Sequence, residues 1–377
     1  MPNPLLVNWL NSMTWQADFY GRSCAVRRED AEFAWGPFMR SPAGRFLETK
    51  RFAKGILRKL GLDRGTALSI QWLHEHADEL WGTRNLLADD LSKLLFDSTL
   101  ILRITGFQRF YFPRIDFDDL IEIVAERRFA EDGFPHDYLG VPLGVFDVRL
   151  LDRPGLDPIR VITRKIQLDL VNSYRQYLVR RNGSSISPVP GDVVYDCGAC
   201  IGEVSMLFAG MVAPKGEVHL FDPIPLHARF CELQASMNPA LDVDLHIVTS
   251  AVGGHTRVID APQGDSNVIV PNAVVDPDRF SYTTLDDYAA KQPRKVDFIK
   301  MDIEGAEMEA LSGAAGVIGE FKPRLAISGY HKPQDLWEIP AKLKALNPDY
   351  EITFGHHTPI FWESVFYASD RGTGKGA

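Results

Sequence analysis

The sequence predicts an α/β fold built on a seven-stranded, mainly parallel sheet, and three observations lead to this prediction. An apolar run, Val193-Val194-Tyr195, enters a glycine turn and is followed by a helical pattern over 203–209. Strands and helices then alternate in about five repeats, which is typical of a parallel sheet. The last two strands, at 350–354 and 364–368, follow each other directly, and this predicts one antiparallel strand.

The glycine turn after the first strand predicts the kind of nucleoside that the crevice binds. Asp196 stands where a dinucleotide fold would carry a first glycine, before Gly198, Ala199 and Gly202. A carboxylate at this position would repel a diphosphate but can hold a cationic amino group. Asp222 ends the next strand and is placed to accept hydrogen bonds from ribose hydroxyls. S-adenosylmethionine has such an ammonium and no phosphate, so it is favoured over NAD.

Composition and charge restrict the partners and the compartment. The chain of 377 residues is long enough for two domains, and its net charge of −9 argues against general binding of nucleic acid. Cys24, Cys197, Cys200 and Cys231 are too few and too scattered for a disulfide framework. With no signal peptide and no membrane span in the pattern, we expect a cytoplasmic protein.

The N-terminal region, 1–151, is predicted to be mostly helical. Its clearest helix carries leucines from Leu87 to Leu102 and ends at Gly106. A basic amphipathic pattern over 45–64 could contact an anionic surface peripherally, although such patterns more often form an ordinary solvated helix face. A turn at 152–155 predicts the boundary with a second domain, 152–370, and the tail 371–377 is expected to be disordered.

Two further segments after the boundary bear on the site. A strand at 159–163 and a helix at 167–180 precede the first strand of the main sheet. Ser250 and Ala251 follow a later strand, 245–248, and are expected beside the nucleoside. A long insertion at 254–282 interrupts the alternation, which is a common place for a substrate loop.

The strand predicted at 296–303 carries the strongest chemical signal. Lys300, Asp302 and Glu304 share one face of it because strand side chains alternate, and charges are tolerated only at the carboxyl edge of a parallel sheet. His331 follows the next strand and, as a neutral imidazole, is a candidate general base. Asp302 and Glu304 are rival candidates. A Mg²⁺ ion held by these two acids is an alternative that is not favoured, because the sequence offers no clear third ligand.

These segments together resemble the FkbM-type methyltransferases, over about 191–368 and more weakly over 86–106. The most specific segment is Lys300-Met301-Asp302-Ile303-Glu304-Gly305-Ala306-Glu307. Departures from the family pattern are the cysteines at 197 and 200 and an aspartate instead of glutamate at 222. The cysteines form a C-x-x-C pair inside the turn, and packed free thiols are favoured there over a redox or metal pair.

The resemblance implies a class I, S-adenosylmethionine-dependent fold and transfer of a methyl group to a hydroxyl of a sugar, glycan or secondary metabolite. The site residues then expected are, for the cofactor, Asp196, Gly198, Ala199, Gly202, Asp222, Ser250, Ala251 and Asp302, and, for catalysis, His331, Asp302 and Glu304. Region 1–151 is expected to bind the acceptor or cover the crevice. The alternatives are an NAD-dependent oxidoreductase and a non-catalytic scaffold that keeps the cofactor pocket.

Overall fold

The computed structural model describes residues 3–23, 69–106, 110, 112, 119–127, 137–138, 141–173, 175–181, 184–259, 280–358 and 362–370. The basic pattern at 45–64, the tail 371–377 and most of the insertion at 254–282 lie outside these residues. The helices are α1 (Pro4–Ser23), α2 (Ile70–Glu75), α3 (Ala77–Leu86), α4 (Asp90–Thr105), α5 (Lys165–Ser173), α6 (Glu203–Val212), α7 (Pro225–Ser236), α8 (Leu285–Ala289), α9 (Glu307–Ser312), α10 (Ala315–Phe321) and α11 (Asp335–Leu346).

The strands form one large sheet and several small ones. They are β1 (Ile121–Arg127), β2 (Asp137–Tyr138), β3 (Val141–Pro142), β4 (Gly144–Leu150), β5 (Ile159–Thr163), β6 (Val179–Arg181), β7 (Ser184–Ile186), β8 (Val193–Cys197), β9 (Gly216–Phe221), β10 (Val243–Val248), β11 (Ala251–Val252), β12 (Arg257–Ile259), β13 (Phe280–Thr283), β14 (Phe298–Met301), β15 (Arg324–Ser328), β16 (Tyr350–His356) and β17 (Ser364–Asp370).

The large sheet has seven strands in the order β10-β9-β8-β14-β15-β17-β16. The five strands from β10 to β15 pair in parallel, and β17 is antiparallel to both of its neighbours. The predicted sheet with one antiparallel strand is therefore confirmed. All five residues of β8 are buried, as expected for a central strand covered on both faces.

Helices from the N-terminal region cover one face of this sheet. Phe96 in α4 packs edge-on against Phe354 in β16 with ring centroids 5.4 Å apart, and Trp9 and Met13 of α1 belong to the same hydrophobic core. The other face is covered by α6 together with the small antiparallel sheet of β1, β4 and β5. The N-terminal helices thus share a core with the large sheet.

The structure differs from the sequence prediction in two segments near the expected boundary. Region 1–151 contains strands β1 and β4 as well as helices, because alternating buried residues such as Phe146, Val148 and Leu150 favour a strand. Strand β4 pairs with β5 across the boundary expected at 151/152, and the division into two domains stays a prediction. The helix expected at 167–180 ends at Ser173, because Arg175 and Tyr177 have φ angles of 56° and 64°.

Two local findings complete the fold. Thr284 caps α8, since its side chain accepts a hydrogen bond from the backbone N–H of Asp287 at 2.9 Å. Within the described residues, no helix has both the length and the apolar character needed to cross a membrane.

Candidate active site

The glycine turn after β8 joins the ends of three strands. Gly198 has a φ of +84°, and a Cβ atom there would lie 1.8 Å from the carbonyl oxygen of Asp302, so only glycine fits. The backbone N–H groups of Gly198 and Ala199 both donate to the carbonyl of Phe221, at 2.9 and 3.0 Å. The turn thereby connects β8 to the carboxyl ends of β9 and β14.

Gly202, at the other end of the turn, is needed for a contact inside the protein. Its φ is +87°, and a Cβ atom would lie 3.0 Å from the sulfur of Cys231. Gly202 was expected among the cofactor residues, and the structure shows that the side of it where a Cβ atom would stand faces Cys231 of α7.

Beneath the turn, Asp196 and Lys300 form a fully buried ion pair. The two residues stand opposite each other on β8 and β14, with Lys300 Nζ 2.9 Å from Asp196 Oδ1. Ser205 donates to the other carboxylate oxygen of Asp196, and Lys300 also donates to the carbonyl of Gly198 at 2.7 Å. Burial alone would lower the pKa of Lys300, but Asp196 and then Asp302 raise it by more, so the lysine stays charged.

This pair corrects two expectations from the sequence. Asp196 has no exposed surface and both of its oxygens have partners, so it is not available to hold a cofactor's ammonium directly. Lys300 lies inside the sheet and not at its edge, and the buried charge is tolerated because Asp196 neutralises it. Asp196 therefore acts on the glycine turn indirectly, by holding Lys300, which donates to the carbonyl of Gly198.

Asp222 lies at the carboxyl end of β9, as predicted. One of its oxygens, Oδ1, accepts from the N–H of Ile224 at 3.0 Å and lies 2.7 Å from Nδ1 of His227. The other, Oδ2, accepts from the N–H of Cys200 at 3.0 Å. A carboxylate oxygen can accept two hydrogen bonds, so Oδ2 retains one acceptor position. This environment fits one ribose hydroxyl better than two.

The structure brings Ser250 and Ala251 to the same corner. The N–H of Asp222 donates to the carbonyl of Val248 at 3.2 Å, which places the residues after β10 next to Asp222. Ser250 donates through its hydroxyl to Ser281 at 3.1 Å, and Ala251 pairs with Tyr282 in the small sheet of β11 and β13. Both residues therefore lie near Asp222, and their contact with the nucleoside stays a prediction.

Asp302 is the centre of a second cluster of charges at the end of β14. Tyr330 donates to its carboxylate at 3.1 Å, Tyr177 donates to Oδ2, and Nε2 of His331 lies 3.3 Å from Oδ1. Burial raises the pKa of Asp302, but His331, Lys300 and Tyr177 lower it by more, to below its ordinary value. Asp302 is therefore an anion held by donors on several sides.

His331 lies between two carboxylates. Its Nδ1 is 2.9 Å from Oε1 of the buried Glu307, and its Nε2 faces Asp302. Burial lowers the pKa of His331, but Asp302 and Glu307 outweigh this effect and raise it to about 11. A protonated imidazole cannot accept a proton, so the neutral histidine base predicted from the sequence is not what this environment supports.

Comparison with known proteins places this geometry in a family. Residues 196–358 match the family model described as the methyltransferase FkbM domain. The matched segment contains the glycine turn, Asp222 and the Asp302 cluster. Residues 196–358 form an FkbM methyltransferase domain. No curated protein gives a significant match to the sequence.

A solved structure supports the fold of the whole chain. The methyltransferase FkbM from Methylobacillus flagellatus KT is 20% identical and superposes with a TM-score of 0.54, over 87% of this chain and 71% of its own. This likeness confirms the predicted class I methyltransferase fold, and the match to the FkbM domain supports a methyltransferase over an NAD-dependent oxidoreductase.

Two other solved structures are more distant. The putative rRNA methylase from Clostridium thermocellum is 11% identical, with 49% of this chain and 89% of its own covered and a TM-score of 0.33. The fibrillarin from Aeropyrum pernix, in complex with S-adenosyl-L-methionine, is 14% identical, with 66% and 99% covered and a TM-score of 0.30. Both TM-scores are too low to support an argument about this chain.

Several residues around the Asp302 cluster of the FkbM domain were missed from the sequence. Glu363, in the segment before β17, receives a hydrogen bond from the side-chain amide of Gln176. Burial and the charge of Asp302 raise the pKa of Glu363 to about 8. Neither Glu363 nor Tyr177 stands in a motif, so the sequence carried no signal for them. Glu307 did carry one, because it is the last acid of the segment 300–307.

Glu304, the third predicted catalytic residue, lies at the rim of the cluster. Its side chain is 78% exposed, and its Oε2 is 3.7 Å from Nε2 of His331. A φ of 56° turns the chain sharply at this point, two residues after Asp302 and directly before Gly305. The structure thus brings Asp302, Glu304 and His331 together, as predicted, and leaves Glu304 the most accessible of the three.

The cysteines of the glycine turn of the FkbM domain are packed thiols. Cys197, Cys200 and Cys231 are free, and burial raises the pKa of each of them well above the ordinary value. A thiol with a raised pKa is a poor nucleophile and a poor metal ligand. The preference for packed thiols over a redox pair is therefore supported.

Proposed function

We propose that this chain is an S-adenosylmethionine-dependent methyltransferase whose acceptor is a hydroxyl of a sugar, glycan or secondary metabolite. The observation that carries the proposal is the Asp302 cluster, an arrangement of titratable side chains immediately beside the glycine turn of an FkbM domain. The cofactor supplies a methyl group that its sulfonium makes electrophilic. The protein then has to align the acceptor and remove its proton.

Asp222, Ser250, Ala251 and the turn from Gly198 to Gly202 are the residues proposed to hold the nucleoside. The remaining acceptor position on Asp222 Oδ2 fits a ribose hydroxyl. Ser250 and Ala251, which follow β10, are proposed to contact the adenine ring of the nucleoside. No contact for the ammonium is assigned, because Asp196 is already paired with Lys300.

Glu363 is proposed as the acceptor of the hydroxyl proton. Asp302 is a weak base because its pKa is lowered, and its oxygens already receive hydrogen bonds from Tyr177 and Tyr330. Glu363 has a pKa of about 8, close to that of an efficient base near neutral pH. Glu304 is the alternative, supported by its exposure at the rim.

His331 is proposed to position Asp302 and Glu307 and not to take the proton. A cation between two carboxylates also occupies the place that a metal would need, and Mg²⁺ prefers oxygen ligands. We therefore favour catalysis without Mg²⁺.

The N-terminal region, 1–151, is proposed to cover one corner of the crevice. Tyr138, in β2, has its hydroxyl 2.5 Å from Nε2 of His227, the residue that contacts Asp222. Its ring also packs edge-on against Phe230 of α7. Replacing Tyr138 by Phe should then weaken cofactor binding, by about 1 kcal/mol for one lost hydrogen bond.

Methyl transfer can be tested with isotopically labelled S-adenosylmethionine and a panel of sugars, glycans and secondary metabolites that carry free hydroxyls. The proposal expects label in at least one hydroxyl acceptor and formation of S-adenosylhomocysteine. Label only on nitrogen acceptors or on nucleic acid would refute the proposed acceptor class. Tight cofactor binding without transfer to any cell-extract fraction would favour the scaffold alternative.

A further inference from the structure

A second cluster of polar side chains lies on β9 and β10, at the other end of these strands from Asp222. The parallel register places His219 directly beside His246, and Glu217 stands two residues before His219 on the same face. Nε2 of His219 lies 3.4 Å from Oε2 of Glu217, and Nε2 of His246 lies 4.0 Å from the same oxygen. The proposed methyl transfer does not use any of these groups.

We propose that Glu217, His219 and His246 form a binding site for a divalent transition metal ion of the zinc type. Two imidazoles and one carboxylate are a donor set that such ions prefer. In a tetrahedral site with bonds of about 2.0 Å, ligand atoms lie roughly 3.3 Å apart. One ligand atom from each residue already lies within 4.8 Å of the others, so small side-chain movements bring all three to that spacing.

The buried histidine is held ready for coordination. His219 has no exposed side-chain surface, and its Nδ1 lies 2.8 Å from the hydroxyl of Tyr288, which fixes the ring with Nε2 toward Glu217. A partner on the second ring nitrogen is what metal-binding histidines usually have.

The carboxylate is oriented in the same way. Nη1 of Arg294 lies 3.0 Å from Oε1 of Glu217 and leaves Oε2 facing the two histidines. The positive charge of Arg294 reduces the attraction of Glu217 for a cation, so we expect moderate affinity. Replacing Arg294 by Gln should strengthen binding, which a purely structural role of the cluster would not produce.

His246 provides the entry to the site. Its ring stacks on that of His219 with centroids 4.3 Å apart and an angle of 10° between the planes. Parallel rings point their lone pairs side by side, so coordination requires the His246 ring to turn about χ2. The side chain is 43% exposed on the edge strand β10, which leaves room for this turn and for a water as fourth ligand.

The test is titration of the chelator-treated full chain with Zn²⁺, followed by calorimetry and by the melting temperature. The proposal expects one Zn²⁺ per chain and a higher melting temperature with the ion. Because His246 is partly exposed, His246→Ala should fold normally and lose at least tenfold in affinity. His255→Ala, an exposed histidine outside the cluster, is the matched control and should bind as the wild type does.

Two results would overturn the proposal. Equal Zn²⁺ affinity in His246→Ala and His255→Ala would remove the cluster from binding. Loss of binding in His331→Gln, with binding intact in His246→Ala, would place the ion at Asp302 and Glu307. A Co²⁺ spectrum typical of tetrahedral nitrogen and oxygen ligands that disappears in His246→Ala would support the proposal independently of enzymatic activity.

Discussion

The Asp196–Lys300 pair and the Asp302 cluster contain similar side chains but differ in how their charges are matched. Inside the sheet, one carboxylate meets one ammonium at 2.9 Å, and both are buried. At the carboxyl edge, the carboxyl groups of Asp302 and Glu307 lie on either side of the imidazole of His331, and Glu363 is connected to Asp302 through Gln176 and Tyr177. Burial, and then the charge of Asp302, raises the pKa of Glu363 to about 8, whereas the ammonium of Lys300 and the carboxylate of Asp196 neutralise each other.

This difference separates a structural element from a chemical one. A matched pair holds the glycine turn in place, because Lys300 connects Asp196 to the carbonyl of Gly198. An unmatched cluster stores a proton that can move near neutral pH. Substitutions that disrupt the Asp196–Lys300 pair should therefore lower the stability of the fold. Substitutions that disrupt the Asp302 cluster should lower the rate of methyl transfer.

The largest effect is expected from Lys300→Met. The substitution leaves the carboxylate of Asp196 buried without its partner, and we expect a loss of about 3–5 kcal/mol in the free energy of unfolding. Urea denaturation followed by circular dichroism measures it. Lys295→Met is the control, because Lys295 pairs with Asp297 at the surface with a side chain that is 66% exposed. Its cost should stay within about 1 kcal/mol. Equal costs for both variants would refute the matched-pair account.

Glu363→Gln should lower the rate of methyl transfer by about 10²–10³-fold, the contribution of a positioned base. Because the pKa of Glu363 is raised to about 8, the wild-type rate should rise as the pH increases through that value and then level. The variant should lose this step, and its cofactor affinity should not change. The control is Glu320→Gln, an exposed residue of α10. If Glu363→Gln keeps the rise of the rate with pH, the general base would be Glu304 and not Glu363.

His331→Gln should cost about 1–3 kcal/mol of stability at pH 6, since charge-assisted contacts with Asp302 and Glu307 are lost. The folded-state pKa of His331 is raised to about 11, so its contribution is complete below its unfolded pKa of about 6.5. The difference between wild type and variant should therefore shrink as the pH rises from 6.5 toward 11. A difference that grows with pH would show that His331 is neutral in the folded protein.

The smallest effect is expected from chelation. Treatment with EDTA should leave the rate of methyl transfer unchanged within about twofold, because His331 already neutralises the carboxylates that Mg²⁺ would need. Readdition of Mg²⁺ is the control. A rate that collapses with EDTA and recovers with Mg²⁺ would mean that the cluster at Asp302 binds the metal.

Most of the fold could be predicted because its signals are local. The apolar run of β8, the positive φ of Gly198 and the cap at Thr284 depend on residues that are close in sequence. The carboxyl edge then follows from parallel pairing, which brings Asp222 and Asp302 to one side of the sheet.

The chemistry of the site could not be predicted to the same depth because it depends on distant partners. The burial of Asp196 is matched by Lys300, and the pairing of those two residues requires the register of β8 with β14. The raised pKa of His331 depends on Asp302 and Glu307, and that of Glu363 depends on burial and on Asp302. Spacing along the chain carries none of this information.

The central claim, that the carboxyl edge of an FkbM domain binds S-adenosylmethionine, is tested most directly by isothermal titration. The account predicts one site per chain with micromolar affinity, no binding of NAD, and a loss of about 2 kcal/mol in Asp222→Ala, as expected when charge-assisted hydrogen bonds are removed. Asp244→Ala, an exposed aspartate on β10, should bind like the wild type. Binding of NAD in place of S-adenosylmethionine, or equal affinity in the two variants, would contradict it.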